Sequence, residues 1–333
     1  MVTIKDVAAR AKVSIGTVSN TFTGTRFVKP ETAERIRRAA AELGYRPNAI
    51  AQGLRSNRTG TLGLVVPDNS NPFFAELAWC IEQTVSSAGL GLMMCNTGGL
   101  PCREVSSVEL LLKKRVDGII FISTSGDPKG VRLPVDAGVP LVLVDRDVPG
   151  VPVPTVLVDN RQGGELAARH LIQLGHRYVA CITGPPALSS SLDRLDGFRE
   201  ILTSEGLSLP EEMIAFCSFT ADEGYKVASQ LLDRDPRITA IFAANDLMAL
   251  GVIRAAHDHG RSVPSRLSVV GFDDISLSKL TLPRLTTVRQ PMDVIAQQVL
   301  KELTQQPANR TSTMNRLVIP VDLVARESTG CVA

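Results

Sequence analysis

The 333-residue chain lacks any apolar stretch long enough to span a bilayer, which takes about 20 residues in a helix. Its N-terminal residues are helical in pattern and charged, without the apolar run and small-residue cleavage site of an export signal, so a cytoplasmic protein with no membrane association is expected. The six cysteines, Cys80, Cys95, Cys102, Cys181, Cys217 and Cys331, form no Cys-x-x-Cys pair and mostly lie inside apolar runs. Buried free thiols are therefore expected, with no zinc site, no disulfide and no cofactor. Catalytic motifs are incomplete as well. Ser276-Leu277-Ser278-Lys279 has the Ser-x-x-Lys spacing without its companion elements, His257-Asp258-His259 has no third ligand at usable spacing, and Gly163-Gly164 is not a full phosphate loop. These absences count against an enzyme.

What is present is concentrated at the front. Thr3 and Asp6 are spaced as a capping pair, and Ile4, Val7, Ala8 and Ala11 form one apolar stripe at helical spacing. Ser14 caps a second short helix over 14–22, after the tight link Ala11-Lys12-Val13. Pro30 opens a third helix whose Ala33, Ile36, Ala40 and Leu43 close a three-helix core. Two helices this small and this close form a helix-turn-helix, with the second as the reader of a DNA major groove. Through residue 60 there are eleven Lys or Arg against four acids, a charge of +7, so with +2 overall the remainder carries −5. The attraction for phosphates thus resides in one small module. A solvated basic bundle is the plainer alternative, and the coincidence of caps, short turn and charge argues against it.

Residues 48–58 then read as a linker with two Arg and no acid. Its helical potential is marginal, because nucleation is costly below about 12 residues and Gly53 subtracts up to about 1 kcal/mol relative to Ala. From residue 61 apolar runs alternate with helical patterns: Leu62–Val66, Gly118–Ile122, Leu141–Val144, Val179–Ile182, Ala240–Ala243 and Ser268–Gly271. Continuous runs indicate strands buried on both faces, hence mainly parallel sheets covered by helices. Two sheets are expected, one on each side of about residue 160, with the last strands crossing between them.

Ligands of open α/β sheets bind beyond the carboxyl ends of strands. The residues there are polar: Asn69-Ser70-Asn71-Pro72-Phe73-Phe74, Asp145-Arg146, Asp159-Asn160, Arg194, Asn245-Asp246, Asp273-Asp274 and Arg289-Gln290. Carboxylates accept, guanidinium groups donate in a fork and amides do both, which suits a ring bearing adjacent hydroxyls. Phe73 and Phe74 can cover its C–H face. Taken singly, each residue has a plainer role: Asp145 or Asp273 as a loop cap, the two Phe as core, Arg194 as an ion-pair partner.

Several blocks together carry a family resemblance: Thr3-Ile4-Lys5-Asp6-Val7-Ala8, Val13-Ser14, Thr17-Val18-Ser19, Leu43-Gly44-Tyr45-Arg46-Pro47-Asn48, Lys114-Arg115-Val116-Asp117-Gly118, Asn245-Asp246, Val270-Gly271-Phe272-Asp273-Asp274 and Pro283-Arg284-Leu285-Thr286-Thr287-Val288. The chain resembles the lactose-repressor-type (LacI/GalR) transcription regulators almost to its C-terminus. The resemblance implies a small all-α helix-turn-helix domain followed by a two-lobed α/β periplasmic-binding-protein-like domain with mainly parallel sheets. Its implied boundaries are 1–46 for the DNA-binding domain, 47–60 for a hinge helix or linker, and 61–330 for the effector-binding domain. Lobe 1 takes about 61–160 plus 291–318 and lobe 2 about 161–289 plus 319–330.

The resemblance places Ile15, Gly16, Thr17 and Asn20 against base edges. Ser14 and Ser19 fall on phosphates. Leu54, with Arg55 beside it, takes the place of the hinge leucine that enters the minor groove, a plain linker being the alternative. It sets Asn71, Phe73, Phe74, Asp145, Arg146, Arg194, Asn245, Asp273 and Gln290 where ribose repressors and ribose-binding proteins hold their sugar. A homodimer on a near-palindromic operator is implied, with the helix beginning near Asn71 and residues 246–259 as dimer surfaces, and no leucine-heptad tail suggests a tetramer. The expected function is a repressor controlled by a small, ribose-like sugar. An activator or corepressor-dependent global regulator of the same family, and a sugar-binding transport protein, are the alternatives.

Overall fold

A computed structural model describes residues 2–23, 26–45, 59–305 and 315–332. The chain divides into two compact units, residues 1–61 with 115–117, and residues 62–114 with 118–333.

The first unit is built on three short helices. In α1 (Ile4–Ala11) the backbone N–H and hydroxyl of Thr3 both donate to Asp6 Oδ2 at 2.8 Å, so the acid reaches back as the spacing predicts. Lys12 ends the helix at φ +50°, and α2 (Ile15–Thr23) starts under Ser14, whose Oγ accepts from the Thr17 N–H at 3.1 Å. Helix α3 (Pro30–Leu43) has Pro in its first turn and stops at Gly44. Val7, Ala8, Ala11, Val18, Ile36, Ala39 and Ala40 form the buried core, with Ile4, Val13, Phe22, Leu43 and Tyr45 partly buried around it. Residues 46–58, with Leu54 and Arg55, lie outside the described residues. The chain re-emerges at Thr59 and Gly60, whose N–H groups donate to the two oxygens of Asp117 at 2.7 and 2.8 Å.

The second unit holds two six-stranded sheets. The first joins β1 (Thr61–Val66), β2 (Gly91–Asn96), β3 (Gly118–Phe121), β4 (Leu141–Val144), β5 (Thr155–Val158) and β11 (Arg316–Ile319) in the order β11-β5-β4-β3-β1-β2. The second joins β6 (Val179–Thr183), β7 (Ile214–Phe216), β8 (Ala240–Ala243), β9 (Ser268–Asp273), β10 (Thr286–Arg289) and β12 (Asp322–Val324) in the order β12-β10-β9-β8-β6-β7. Among described pairings only β10 with β12 is antiparallel; β1–β3, β3–β4 and β8–β9 are typical of the parallel remainder. Every continuous apolar run noted in the sequence lies on a strand with both faces buried. The chain passes between lobes after β5, after β10 and between β11 and β12.

The incomplete catalytic motifs resolve into packing and surface pairing. Gly164 sits in α7 (Asn160–Gln173) and Gly197 in α8 (Ser189–Ser204), where a Cβ would come within 2.0 Å of the Arg194 and Arg161 carbonyl oxygens respectively. Glycine is what lets these two helices touch backbone to backbone. His257 meets its neighbour Asp258 at 3.1 Å and His259 meets Asp233 at 3.2 Å, both at the surface. Ser276–Lys279 is a single 3₁₀ turn in which Lys279 is exposed. The cysteines are free, but the expected burial holds only for Cys80 and Cys181; Cys95 and Cys217 are half-buried, and Cys102 and Cys331 are exposed because each falls outside a strand core.

Candidate functional site

The reader-helix residues come together at the N-terminal end of α2. Ser14, Ile15 and Gly16 are exposed, while Thr17, Ser19 and Asn20 are half-buried behind them. Ile15 leaves 41% of its surface in solvent, unusual for a side chain of its kind next to an apolar core. Ser14 Oγ and Thr17 Oγ1 lie 2.8 Å apart, so the two hydroxyls fix one another and leave the first turn ordered. A Cβ at Gly16 would meet only Ser14 Oγ, at 3.6 Å. No internal crowding demands glycine there, so the bare backbone serves whatever approaches from outside. Such a face offers apolar contact from Ile15, backbone from Gly16 and an amide from Asn20.

The second site is a half-open cleft within the second unit, with about 310 Å³ of free space counting the solvent at its mouth, lined by Asn71, Phe73, Phe74, Asp145, Arg146, Ser190, Arg194, Phe219, Asn245 and Asp273. The lining comes equally from both sheets' lobes. Most of these residues follow a strand or open a helix, so main-chain geometry aims them, while Arg194 projects from within α8. Asn71 caps α4 (Pro72–Ser87), its Oδ1 accepting from the Phe73 N–H at 3.0 Å. Asn245 caps α10 (Asp246–Asp258), its Oδ1 accepting from the Met248 N–H at 2.8 Å. Both amides therefore spend their oxygen on the helix and keep Nδ2 for donation, in Asn245 partly to the Phe219 carbonyl at 3.4 Å.

The acids sit on strained backbone. Asp145 has φ +66° and is the centre of a tight turn in which the Arg146 N–H donates to the Val144 carbonyl at 2.7 Å; Asp273 has φ +115°. Non-glycine residues in this region cost free energy and concentrate at ligand sites. Burial raises the Asp145 carboxyl, with Arg146 and Arg194 opposing, and pushes Asp273 up to about 7. Behind the cleft Asp246 is raised well above its ordinary value by burial and by Asp273, while its oxygens accept from the Ile275 N–H and the Thr287 hydroxyl.

Two guanidinium groups balance the two lining acids. Arg194 stacks on the Phe272 ring at 3.6 Å, donates to Asn160 Oδ1 at 2.7 Å and the Ala244 carbonyl at 2.6 Å, and lies 3.8 Å from Asp273. Arg146 donates through Nη1 to the Ser123 carbonyl at 2.9 Å. Its Nε is buried without a hydrogen-bond partner, Asp145 Oδ2 being 3.5 Å away. With paired charges the cleft is neutral overall, rich in acceptors and donors, and floored by the edge-on Phe73 and Phe74 rings 5.1 Å apart.

Eight of the nine sequence-selected residues line this cleft, and Gln290 does not. Gln290 is buried behind it, donating from Nε2 to Asp273 Oδ1 at 2.8 Å, so it holds the acid without facing the space. Ser190 and Phe219 were missed. Phe219 follows β7, a strand of three residues too short to register as an apolar run, and Ser190 lies one loop and one turn beyond β6. Applying the strand-end rule to such short strands would have found them.

Comparison with known proteins identifies the family of both parts of the chain. Residues 3–48 match the family model described as bacterial regulatory proteins, lacI family, and residues 59–327 match periplasmic binding proteins and sugar binding domain of LacI family. The ribose operon repressor of Halalkalibacterium halodurans is 36% identical over 329 residues, covering 99% of this chain and 97% of that one. A crystal structure of the Lac repressor dimer bound to operator and the anti-inducer ONPF superposes with a TM-score of 0.86 at 28% identity, over 99% of both chains. The complex of the transcriptional regulator CelR with cellobiose gives a TM-score of 0.74 at 34% identity, over 98% of this chain and 100% of that one. No described helix is long and apolar enough to cross a membrane.

Proposed function

Because the chain belongs to the lacI family of bacterial regulatory proteins, we propose that it is a dimeric transcriptional repressor whose hold on a near-palindromic operator is set by a small, neutral, ribose-like sugar in the cleft. The single observation that carries the effector class is the cleft's balance of two acids against two guanidinium groups around about 310 Å³. Hydroxyls can donate to both acids and accept from Asn71, Asn245 and the Arg146 guanidinium. Similarity to a ribose operon repressor supports a pentose.

In this reading residues 1–46 form the DNA-binding domain, 47–60 the hinge and 61–330 the effector domain. Ser14, Ile15, Gly16, Thr17, Ser19 and Asn20 meet the operator, with Leu54 and Arg55 assigned to the hinge contact. The sugar bridges both lobes and so selects their relative arrangement, and whichever arrangement it prefers gains population. Release of the operator is the outcome we assign to it. The test is an operator titration with D-ribose, cellobiose and ribose 5-phosphate. Ribose alone should weaken operator affinity, by roughly 5- to 150-fold for an ordinary allosteric coupling. Unchanged affinity across pentoses, hexoses and sugar phosphates would reject the sugar-sensor reading.

A further inference from the structure

Resting on the effector reading of the cleft, one buried acid outside the lining acquires a role. Glu104 lies in the first turn of α5 (Pro101–Lys113) and is only 1% exposed. Its Oε1 accepts from the Thr124 N–H at 2.5 Å and from the Ser123 hydroxyl at 3.4 Å. The carbonyl of the same peptide group, Ser123 O, accepts from Arg146 Nη1 at 2.9 Å, and Thr124 O adds a longer contact to that nitrogen at 3.3 Å. One peptide plane thus stands between an acid and a base, its N–H end on Glu104 and its C=O end on Arg146. Each charge meets the end of the peptide dipole that it stabilises, and polarisation along such a chain strengthens both bonds.

The loop around that peptide is pinned from other sides as well. Gly126 N–H donates to the Ser123 hydroxyl at 2.9 Å, and Thr124 Oγ1 shares a proton with Thr97 Oγ1 at 3.0 Å. Thr97 Oγ1 lies 3.2 Å from the Pro67 carbonyl, at the end of β1. Glu104 is the only acid among these partners, its carboxyl pushed up by burial and pulled down by the Thr124 and Ser123 hydrogen bonds. Without its charge the Thr124 N–H would keep only a neutral, weaker acceptor, and the peptide plane that orients the Arg146 fork would be held less firmly.

We propose that Glu104 is the positioning residue for Arg146 in effector recognition, acting through the Ser123–Thr124 peptide to hold the Arg146 guanidinium at the wall of the cleft. It touches no effector itself. The test is a double-mutant cycle in the full-length protein, read as D-ribose affinity by calorimetry, with Glu104→Gln in the wild-type and in an Arg146→Lys background. Glu104→Gln keeps the volume and one acceptor oxygen but removes the charge. It should weaken ribose binding roughly five- to thirtyfold in the wild-type background, and less than about twofold where Arg146 is already Lys, the range of coupling between residues sharing one network. Should Glu104→Gln fail to melt cooperatively, Glu104→Asp, which keeps the charge but falls short of the Thr124 N–H, replaces it in the same cycle. Equal losses in both backgrounds, or no loss in either, would overturn the positioning role alone. A wild-type chain that binds neither ribose nor any member of a pentose and hexose panel would overturn the effector reading and this role together.

Discussion

At the scale of the residue, the cleft concentrates its chemistry in Asp273. Burial pushes its carboxyl up to about 7, with Arg194 and the Gln290 amide pulling the other way. A hydroxyl that donates to a carboxylate favours the ionised form, so sugar binding should lower this value and expel a proton. Ribose affinity is then expected to rise with pH between 6 and 8, by at most about tenfold per pH unit. Folding runs oppositely. A carboxyl raised in the folded state contributes stability that is full below its ordinary value of 3.8 and lost as pH rises through about 7, so this group makes the sugar-free protein melt higher at pH 6 than at pH 8. Calorimetry in buffers of different ionisation heat would read the released proton directly, and Asp273→Asn should flatten the pH profile. A wild-type affinity independent of pH would show that Asp273 keeps one protonation state throughout.

At the scale of the element, α7 and α8 carry the site and approach backbone to backbone at Gly164 and Gly197. A Cβ on Gly164 would lie 2.0 Å from the carbonyl oxygen of Arg194, the residue whose guanidinium spans Asn160, Ala244 and Asp273. Gly164→Ala is expected to push α8 away, costing about 1–3 kcal/mol or more of stability as overpacking does. Because the displaced backbone belongs to Arg194, ribose affinity should fall along with the melting temperature. A variant that melts lower yet binds ribose as the wild type does would separate the packing from the site. This contact also marks where the sequence stops being legible. Buried strands announced themselves as continuous apolar runs, and Asn71, Asp145, Arg146, Asn245 and Asp273 as polar groups near their ends, because both signals are local. Gly163-Gly164 carried no such signal, since a close helix approach depends on a partner about thirty residues away. The edge strand β2 carries a short apolar run, Leu92-Met93-Met94-Cys95, at exposed and half-buried positions, whereas the half-polar Thr286–Arg289 of β10 carries none. Gln290 was read as a ligand group for a related reason: its place after a strand is local, whereas its turn toward Asp273 is tertiary.

At the scale of the whole molecule, charge is divided as function requires, with +7 through residue 60 and −5 beyond it. Phosphate attraction belongs to the front end and the acidic body adds none, so operator affinity should fall steeply with salt while ribose affinity, a matter of buried hydrogen bonds in a neutral cleft, should barely respond. That contrast allows the coupling to be measured from either end. If ribose weakens operator binding by some factor at a given salt concentration, operator must weaken ribose binding by the same factor, because both describe one closed thermodynamic cycle. The expected experiment is a ribose titration of the operator-saturated protein beside one of the free protein, at two salt concentrations. The ratio of the two ribose affinities should equal the ratio of operator affinities with and without ribose, whatever the absolute values. A ratio of one, found together with ribose-dependent operator release, would mean that ribose acts on the operator step by some route other than the cleft, and the two sites would then share no conformational equilibrium.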